Sequence, residues 1–240
     1  MTRAPNVGRR GPFPPTAPAT LASLGVAREL RLTVGPPEAS LALWIVDPPA
    51  AARPVGTLLV LHSARGSKRS QLRWARPFTA AGYRALLVDL RGQGDSSGDH
   101  LTYGVLDRRD LRQVLDRLAA RGELVGRIGV FGGSYGAATA IELAGTDPRI
   151  GAVVAVAPFA ALPAVLSRHL RLSWPHLWPL VPPHRLGEGL ALAGRAAEFN
   201  PWEAAPIAYV GRSAAPLLLL HGARARLLPP GHSALLASHA

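Results

Sequence analysis

The sequence has no cysteine among its 240 residues, which excludes disulfides, thiolate metal sites and a cysteine nucleophile. Lysine is almost absent as well: of 27 basic residues only Lys68 is lysine. Acidic residues number 15, leaving a formal net charge of +12. That excess reads as a by-product of a composition heavy in Ala, Arg, Gly and Pro, because the arginines are scattered and no basic stripe alternates with aromatics. A specific nucleic-acid partner is therefore not expected, whereas weak attraction to polyanions at low salt is. Long apolar runs are also missing. The longest uncharged stretch, Ile150 to Ser167, is broken by Gly151, Pro158 and Pro163, so it reads as a buried strand plus a loop and not as a membrane span. The segment after Met1 is rich in Arg and Pro without the apolar core of a secretory signal, which makes a cytoplasmic location the expectation.

What is present fits one globular domain, with 48% hydrophobic and 18% charged residues. Residues 1–20 carry five prolines and three arginines and are expected to be a disordered leader to a domain over 21–240. Arg28–Val34 and Leu41–Val46 read as two strands around the turn Gly35-Pro36-Pro37, followed by a Pro- and Ala-rich linker, Asp47–Pro54. Short, almost purely apolar runs then recur at Thr57–Leu61, Ala85–Val88, Ile128–Phe131, Ala152–Val156 and Leu217–Leu220. Strands apolar on both faces belong to a mostly parallel sheet covered by helices. Leu111, Val114, Leu115 and Leu118 stand at helical spacing, with Gly122 as the stop. The fold class is therefore α/β. A Pro- and Trp-rich insertion, 159–212, interrupts the pattern and is expected to cap the carboxyl ends of the strands.

The chemistry is carried by Gly132-Gly133-Ser134-Tyr135-Gly136, a G-x-S-x-G sequence lying between the apolar run Ile128–Phe131 and a small-residue helix, Tyr135–Leu143. A sharp strand-to-helix turn needs glycines beside the serine, exposes its hydroxyl, and aims the positive helix amino terminus at it. Upstream, His62-Ser63-Ala64-Arg65-Gly66 follows one strand and Asp89-Leu90-Arg91-Gly92-Gln93-Gly94-Asp95-Ser96 follows the next. His62 is expected to hold its loop, and Asp89 and Asp95 to satisfy loop amides. Other motifs fail. Gly92–Ser97 lacks the third glycine of a dinucleotide loop, and Gly66-Ser67-Lys68 lacks the ending of a phosphate loop. His169, His176 and His184 have no metal-ligand rhythm, and Trp174, Trp178 and Trp202 suit packing of the cap better than an acyl pocket.

From about Arg28 onward, D-x-R-G-x-G-x-S followed some forty residues later by G-x-S-x-G resembles the bacterial α/β-hydrolases, in the branch of single-domain esterases and serine aminopeptidase-like hydrolases. The resemblance implies the α/β-hydrolase fold and acyl transfer with Ser134 as nucleophile. The backbone N–H groups of Tyr135 and Ala64 would form the oxyanion hole. Ser63 stands where the resemblance has glycine. It also implies an acid and a histidine downstream. The strand ending at Leu220 runs into His221-Gly222, similar to an H-G-x-x-D segment, but Ala225 occupies the acid position. After Asp147 the only acidic residues are Glu188, Glu198 and Glu203. The histidine segment, beyond one further strand, is absent. His232, at the start of the helix expected over Gly231–His239, resembles a non-catalytic histidine of the relatives and is the candidate substitute base, ahead of His239 at a fraying terminus. A shortened chain missing its last strand, or a divergent member, fits these absences equally. The expected function is a serine hydrolase of carboxylic esters or related small-molecule acyl substrates. The alternative is a non-catalytic binding protein on the same fold. No cofactor and no metal are expected, and the oligomeric state is not readable.

Overall fold

The computed structural model describes residues 18–49, 53–176 and 178–240. Most of the leader thus lies outside the described residues, as does part of the 47–54 linker; residues 18–20 open a short helix, α1 (Pro18–Ser23). A seven-stranded sheet follows, built from β1 (Arg28–Val34), β2 (Ala39–Val46), β3 (Gly56–Leu61), β4 (Tyr83–Val88), β5 (Arg127–Gly133), β6 (Ile150–Val156) and β7 (Leu217–Leu220), in the spatial order β1-β2-β4-β3-β5-β6-β7. β1 pairs antiparallel with β2, and β2 antiparallel with β4; every other pairing is parallel. The protein has the α/β-hydrolase fold.

Apolar runs make such strands because helices cover both faces. On β3, Leu59 and Leu61 join one core cluster while Leu58 and Val60 join another, and β4 divides Leu86 and Val88 from Ala85 and Leu87 in the same way. The first cluster is closed by α3 (Val105–Ala120), α4 (Tyr135–Ala144) and α7 (Gly231–Ala237), through Leu111, Val114, Leu115 and Leu118, Ala137 and Ala140, and Leu236. The second is closed by Leu72 and Ala75 of α2 (Leu72–Ala80), with Leu21 and Leu24 at the amino terminus. Each leucine fully removed from water here contributes about 1.5–3 kcal/mol before entropy is counted.

β1 and β7 coincide with the expected segments, and the other strands extend theirs by one to three residues. β4 starts at Tyr83 because Gly56 and Thr57 continue the parallel ladder opposite Tyr83 and Arg84. The proline- and tryptophan-rich insertion holds two helices, α5 (Leu162–Ser173) and α6 (Pro183–Ala196), after β6. Its remainder, with single turns at Pro201–Glu203, Pro206–Ala208 and Val210–Arg212, leans on α4: a Cβ on Gly145 would come within 2.5 Å of Tyr209 O. β7 is an edge strand among the described residues; Leu217 and Leu219 pack inward, while Leu218 and Leu220 are 52% and 45% exposed.

Candidate active site

β5 ends in Gly132-Gly133, and Ser134 then adopts φ 52°, ψ −111° before α4 begins at Tyr135. A side chain in that region costs on the order of 1–3 kcal/mol and persists only where its surroundings over-determine it. Here they do. Ser134 N donates to Val156 O of β6 at 2.7 Å, and Ser134 O accepts from Ala138 N at 3.0 Å. The flanking glycines are demanded by close approach. A Cβ on Gly132 would run into the carbonyl of Gly136, and one on Gly136 would sit 2.6 Å from Leu61 O and 2.7 Å from His62 O. The turn therefore presses the first turn of α4 onto the end of β3. Ser134 stays half-buried, and its hydroxyl hydrogen-bonds no protein group among the described residues. The Tyr135 amide, at the positive end of α4, donates to no protein acceptor among the described residues either.

The loop after β3 lies beside this turn, joined to it by Ser63 Oγ, which donates to Gly133 O at 3.1 Å. Ser63 is not in the left-handed region, so a serine serves where the resemblance has glycine. The Ala64 amide, like that of Tyr135, is without a protein acceptor among the described residues, and Ala64 itself is exposed. Arg65 turns the chain at φ 60°, and its amide donates to Gln93 Oε1 at 2.7 Å. His62 is fully buried. Leu90 N donates to its Nε2 at 3.0 Å, so the ring proton sits on Nδ1, which donates to Ser63 O at 2.8 Å. Burial pushes this imidazole below its ordinary pKa. His62 is a neutral strut between two loops, as its place after a strand suggested.

Asp89 organises the second loop. Its carboxylate accepts from Lys68 N at 2.5 Å, Asp95 N at 2.8 Å and Lys68 Nζ at 2.8 Å. Asp95 holds the same ammonium and does not satisfy an amide; Lys68 also lies 3.8 Å from Glu29 and 5.0 Å from the Trp44 ring. The chain's single lysine is therefore buried, 1% exposed, and neutralises the fully buried Asp89. The partners of Lys68 and Gln93 cannot be read from sequence, since each acts across 20 residues or more.

The Tyr135 side chain plays a separate part. Its hydroxyl donates to Asp107 at 2.7 Å and accepts from the amides of Thr102 and Tyr103 at 3.1 and 2.9 Å. Burial and the Asp107 carboxylate push the phenol well above its usual pKa. The residue after Ser134 is thus anchored at both ends, by helix α4 and by the loop before α3.

The downstream half differs. His221 is held by Ser233 Oγ on Nδ1 and by Leu228 O on Nε2, both at 2.6 Å. Leu228 O can only accept, so Nε2 carries the proton and Nδ1 accepts from the serine. Ala225 closes a turn through its N–H to Gly222 O at 3.0 Å, with no carboxylate at that place. His232 sits at the same end of the sheet as Ser134, since its Nδ1 accepts from Ala160 N, just beyond β6, at 3.3 Å. Burial, with His221 and Arg168 nearby, lowers its pKa. No hydrogen bond joins it to Ser134, and the Ala160 contact selects the tautomer whose proton is already on Nε2. Glu188 pairs with Arg185, and Glu203 with Arg108 and Arg109; neither touches a histidine. Among the described residues, no group of three or more His, Asp or Glu is arranged to hold a metal, and no helix is long and apolar enough to cross a membrane.

Known proteins share this fold. An esterase of Pyrococcus furiosus superposes with a TM-score of 0.69 at 22% identity, over 95% of this chain and 83% of that one. A puromycin-hydrolyzing peptidase of Mycobacterium tuberculosis superposes with a TM-score of 0.61 at 17% identity, over 88% of this chain and 33% of that one. These likenesses concern the fold. An uncharacterized protein of Bacillus subtilis, YqkD, is 30% identical over 168 residues, 69% of this chain and 53% of the relative, so the chain spans about half the length of the curated relative it matches. Residues 38–178, more than half of the chain, match the X-Pro dipeptidyl-peptidase (S15) family. That stretch contains the loop after β3, the Asp89 loop and the Ser134 turn, and the chain belongs to this family of α/β-hydrolase-fold proteins.

Proposed function

We propose that the protein is a serine hydrolase that transfers the acyl group of carboxylic esters or peptide amides to water, with Ser134 as nucleophile. One observation carries this reading: a serine, not a glycine, occupies φ 52°, ψ −111° at the carboxyl end of a central strand, its hydroxyl without a protein partner among the described residues. Strain of that kind is retained where it aims a reacting atom. Ser134 Oγ attacks the acyl carbon, and the carbonyl oxygen becomes an oxyanion that accepts from the amides of Tyr135 and Ala64. Fixed donors of this sort supply much of the stabilisation in acyl transfer. Helices α5 and α6 act as the cap over the substrate.

Proton transfer is the weak step. His232 takes the serine proton on Nε2 only after its own proton has moved to Nδ1 and the Ala160 N–H has been released. Turnover is therefore expected to be slow. Sites lacking triad members still retain about a thousandfold or more over water. A second reading, a binding protein that holds acyl ligands without turnover, draws support from the same His232–Ala160 bond and from Ala225 at the acid position.

The test is fluorophosphonate labelling of purified wild type and Ser134→Ala, with the modified peptide located by mass spectrometry and folding checked by a cooperative melt. Labelling at Ser134 in wild type, lost in Ser134→Ala, supports the hydrolase. Folded wild type that takes no label, or labels equally well without the hydroxyl, sinks it in favour of the binding protein.

A further inference from the structure

Between Asp147 and Glu188 the chain has no acidic residue, while it carries Arg149, Arg168, Arg171 and Arg185 together with His169, His176 and His184. The structure folds the second half of this stretch into α5, a turn at Trp178–Leu180 and the start of α6. The side of this hairpin that meets the body is accounted for. Leu162, Val165, Leu166 and Leu190 pack with Phe159 and Leu228 in a third apolar cluster.

The outer side is not. Leu172 is 48% exposed, Trp174 59% and Leu180 76%, and Leu192 of α6 is 64% exposed. None of them belongs to a core cluster. Three of these four fall within nine residues of chain, whereas scattered single apolar residues would need no explanation. Arg171, next to Leu172 in the chain, and Arg185, five residues after Leu180, are exposed as well. Of these two, Arg185 alone has a carboxylate partner among the described residues, Glu188 at 3.2 Å, and both members of that pair are well exposed. The hairpin tip is therefore apolar and cationic at once.

We propose that this tip docks on an anionic lipid surface. Such a surface supplies both things the tip asks for: an apolar layer to take Leu172, Trp174 and Leu180, and anionic headgroups for Arg171 and Arg185. Trp174 suits the boundary itself, where an amphipathic ring keeps its N–H hydrated. An uncharged apolar partner would leave the arginines uncompensated. A second copy of the chain would bring an identical cationic tip against the first, and like charges oppose that contact. The net charge of +12 draws the whole molecule toward the same surface. Docking needs no turnover, so the inference stands apart from the role of Ser134.

Sedimentation of the full chain with sucrose-loaded vesicles tests it, comparing phosphatidylcholine alone with mixtures containing phosphatidylglycerol. Partitioning should be about tenfold stronger onto the anionic vesicles and should weaken as salt is raised. Tryptophan emission should shift to the blue on binding. The double variants Trp174→Ser/Leu180→Ser and Arg171→Glu/Arg185→Glu should each lower partitioning about tenfold without moving the melting temperature, because all four side chains are exposed. Arg121→Glu, an exposed arginine just past α3, should change it little. The proposal is overturned by any of three results: equal partitioning onto both vesicle types, an effect of Arg121→Glu as large as that of the tip arginines, or insensitivity to Trp174→Ser/Leu180→Ser. A dimer in sedimentation velocity that the apolar double variant dissolves would assign the tip to a second copy and overturn it as well.

Discussion

The loops that follow β3, β4 and β5 and the segment that follows β7 meet at the same end of the sheet, yet they are built differently. In the first set, buried polar groups lock loop to loop: Lys68 to Asp89, Gln93 to the Arg65 amide, His62 between Ser63 and Leu90, Tyr135 to Asp107. In the second, a four-residue edge strand carries two exposed leucines, and its histidines are held through a serine, a carbonyl and a backbone amide instead of a carboxylate. Backbone amides are placed by the fold as a whole, and those of Tyr135 and Ala64 stand without protein acceptors among the described residues. Side-chain partners are set one residue at a time, and after β7 no carboxylate is among them.

The largest expected effect breaks the first region. Lys68→Met leaves Asp89 buried and without its cation, which costs about 3–5 kcal/mol. Denaturant unfolding measures it, and a loss below about 1 kcal/mol would mean that the buried pair does not hold these loops. Ser134→Gly works in the opposite direction. Glycine adopts the serine's backbone angles without strain, so the variant should be more stable by about 1–3 kcal/mol while losing fluorophosphonate labelling. A less stable Ser134→Gly would show that the turn stores no strain.

The pH dependence comes next. Burial holds the His62 imidazole below its ordinary pKa of about 6.5. The unfolded chain gains a proton at His62 as pH falls below that value, and the folded chain does not. The stability present above pH 6.5 is therefore lost as pH falls, by up to about 1.4 kcal/mol per pH unit for this one proton. Imidazole NMR checks it directly, because the His62 signals should stay those of the Nδ1–H tautomer as pH falls through about 6.5. The smallest effect belongs to the second region. Leu218→Thr with Leu220→Thr should change stability by no more than about 0.5 kcal/mol per site, since both side chains already face water. A larger loss in thermal melts would place a hidden contact on that face.

Much of the first region is legible in the residues themselves. The apolar runs announce strands, and Gly132, Ser134 and Gly136 announce the turn, because their spacing is a pattern of five residues, even though the backbone that Gly136 meets is that of Leu61 and His62. Lys68, Gln93 and the Tyr135–Asp107 bond are not legible, because each partner lies 20 or more residues away and nothing beside either one marks the other. His232 is a case of its own. The sequence offers it as a substitute base only for want of another, and only the Ala160 amide against its Nδ1 reveals which nitrogen holds the proton.

The sequence by itself determined the layered α/β class and the place of the Ser134 corner, since strand and helix periodicity and the G-x-S-x-G spacing are patterns of a few residues. It also determined that no carboxylate follows β7 before residue 240. Only the tertiary structure decided which amides stand free beside Ser134, which way each histidine is protonated, and which apolar side chains of α5 and α6 remain in water. Those depend on what the rest of the chain places within about 3 Å of a group, a matter of packing that local pattern does not encode.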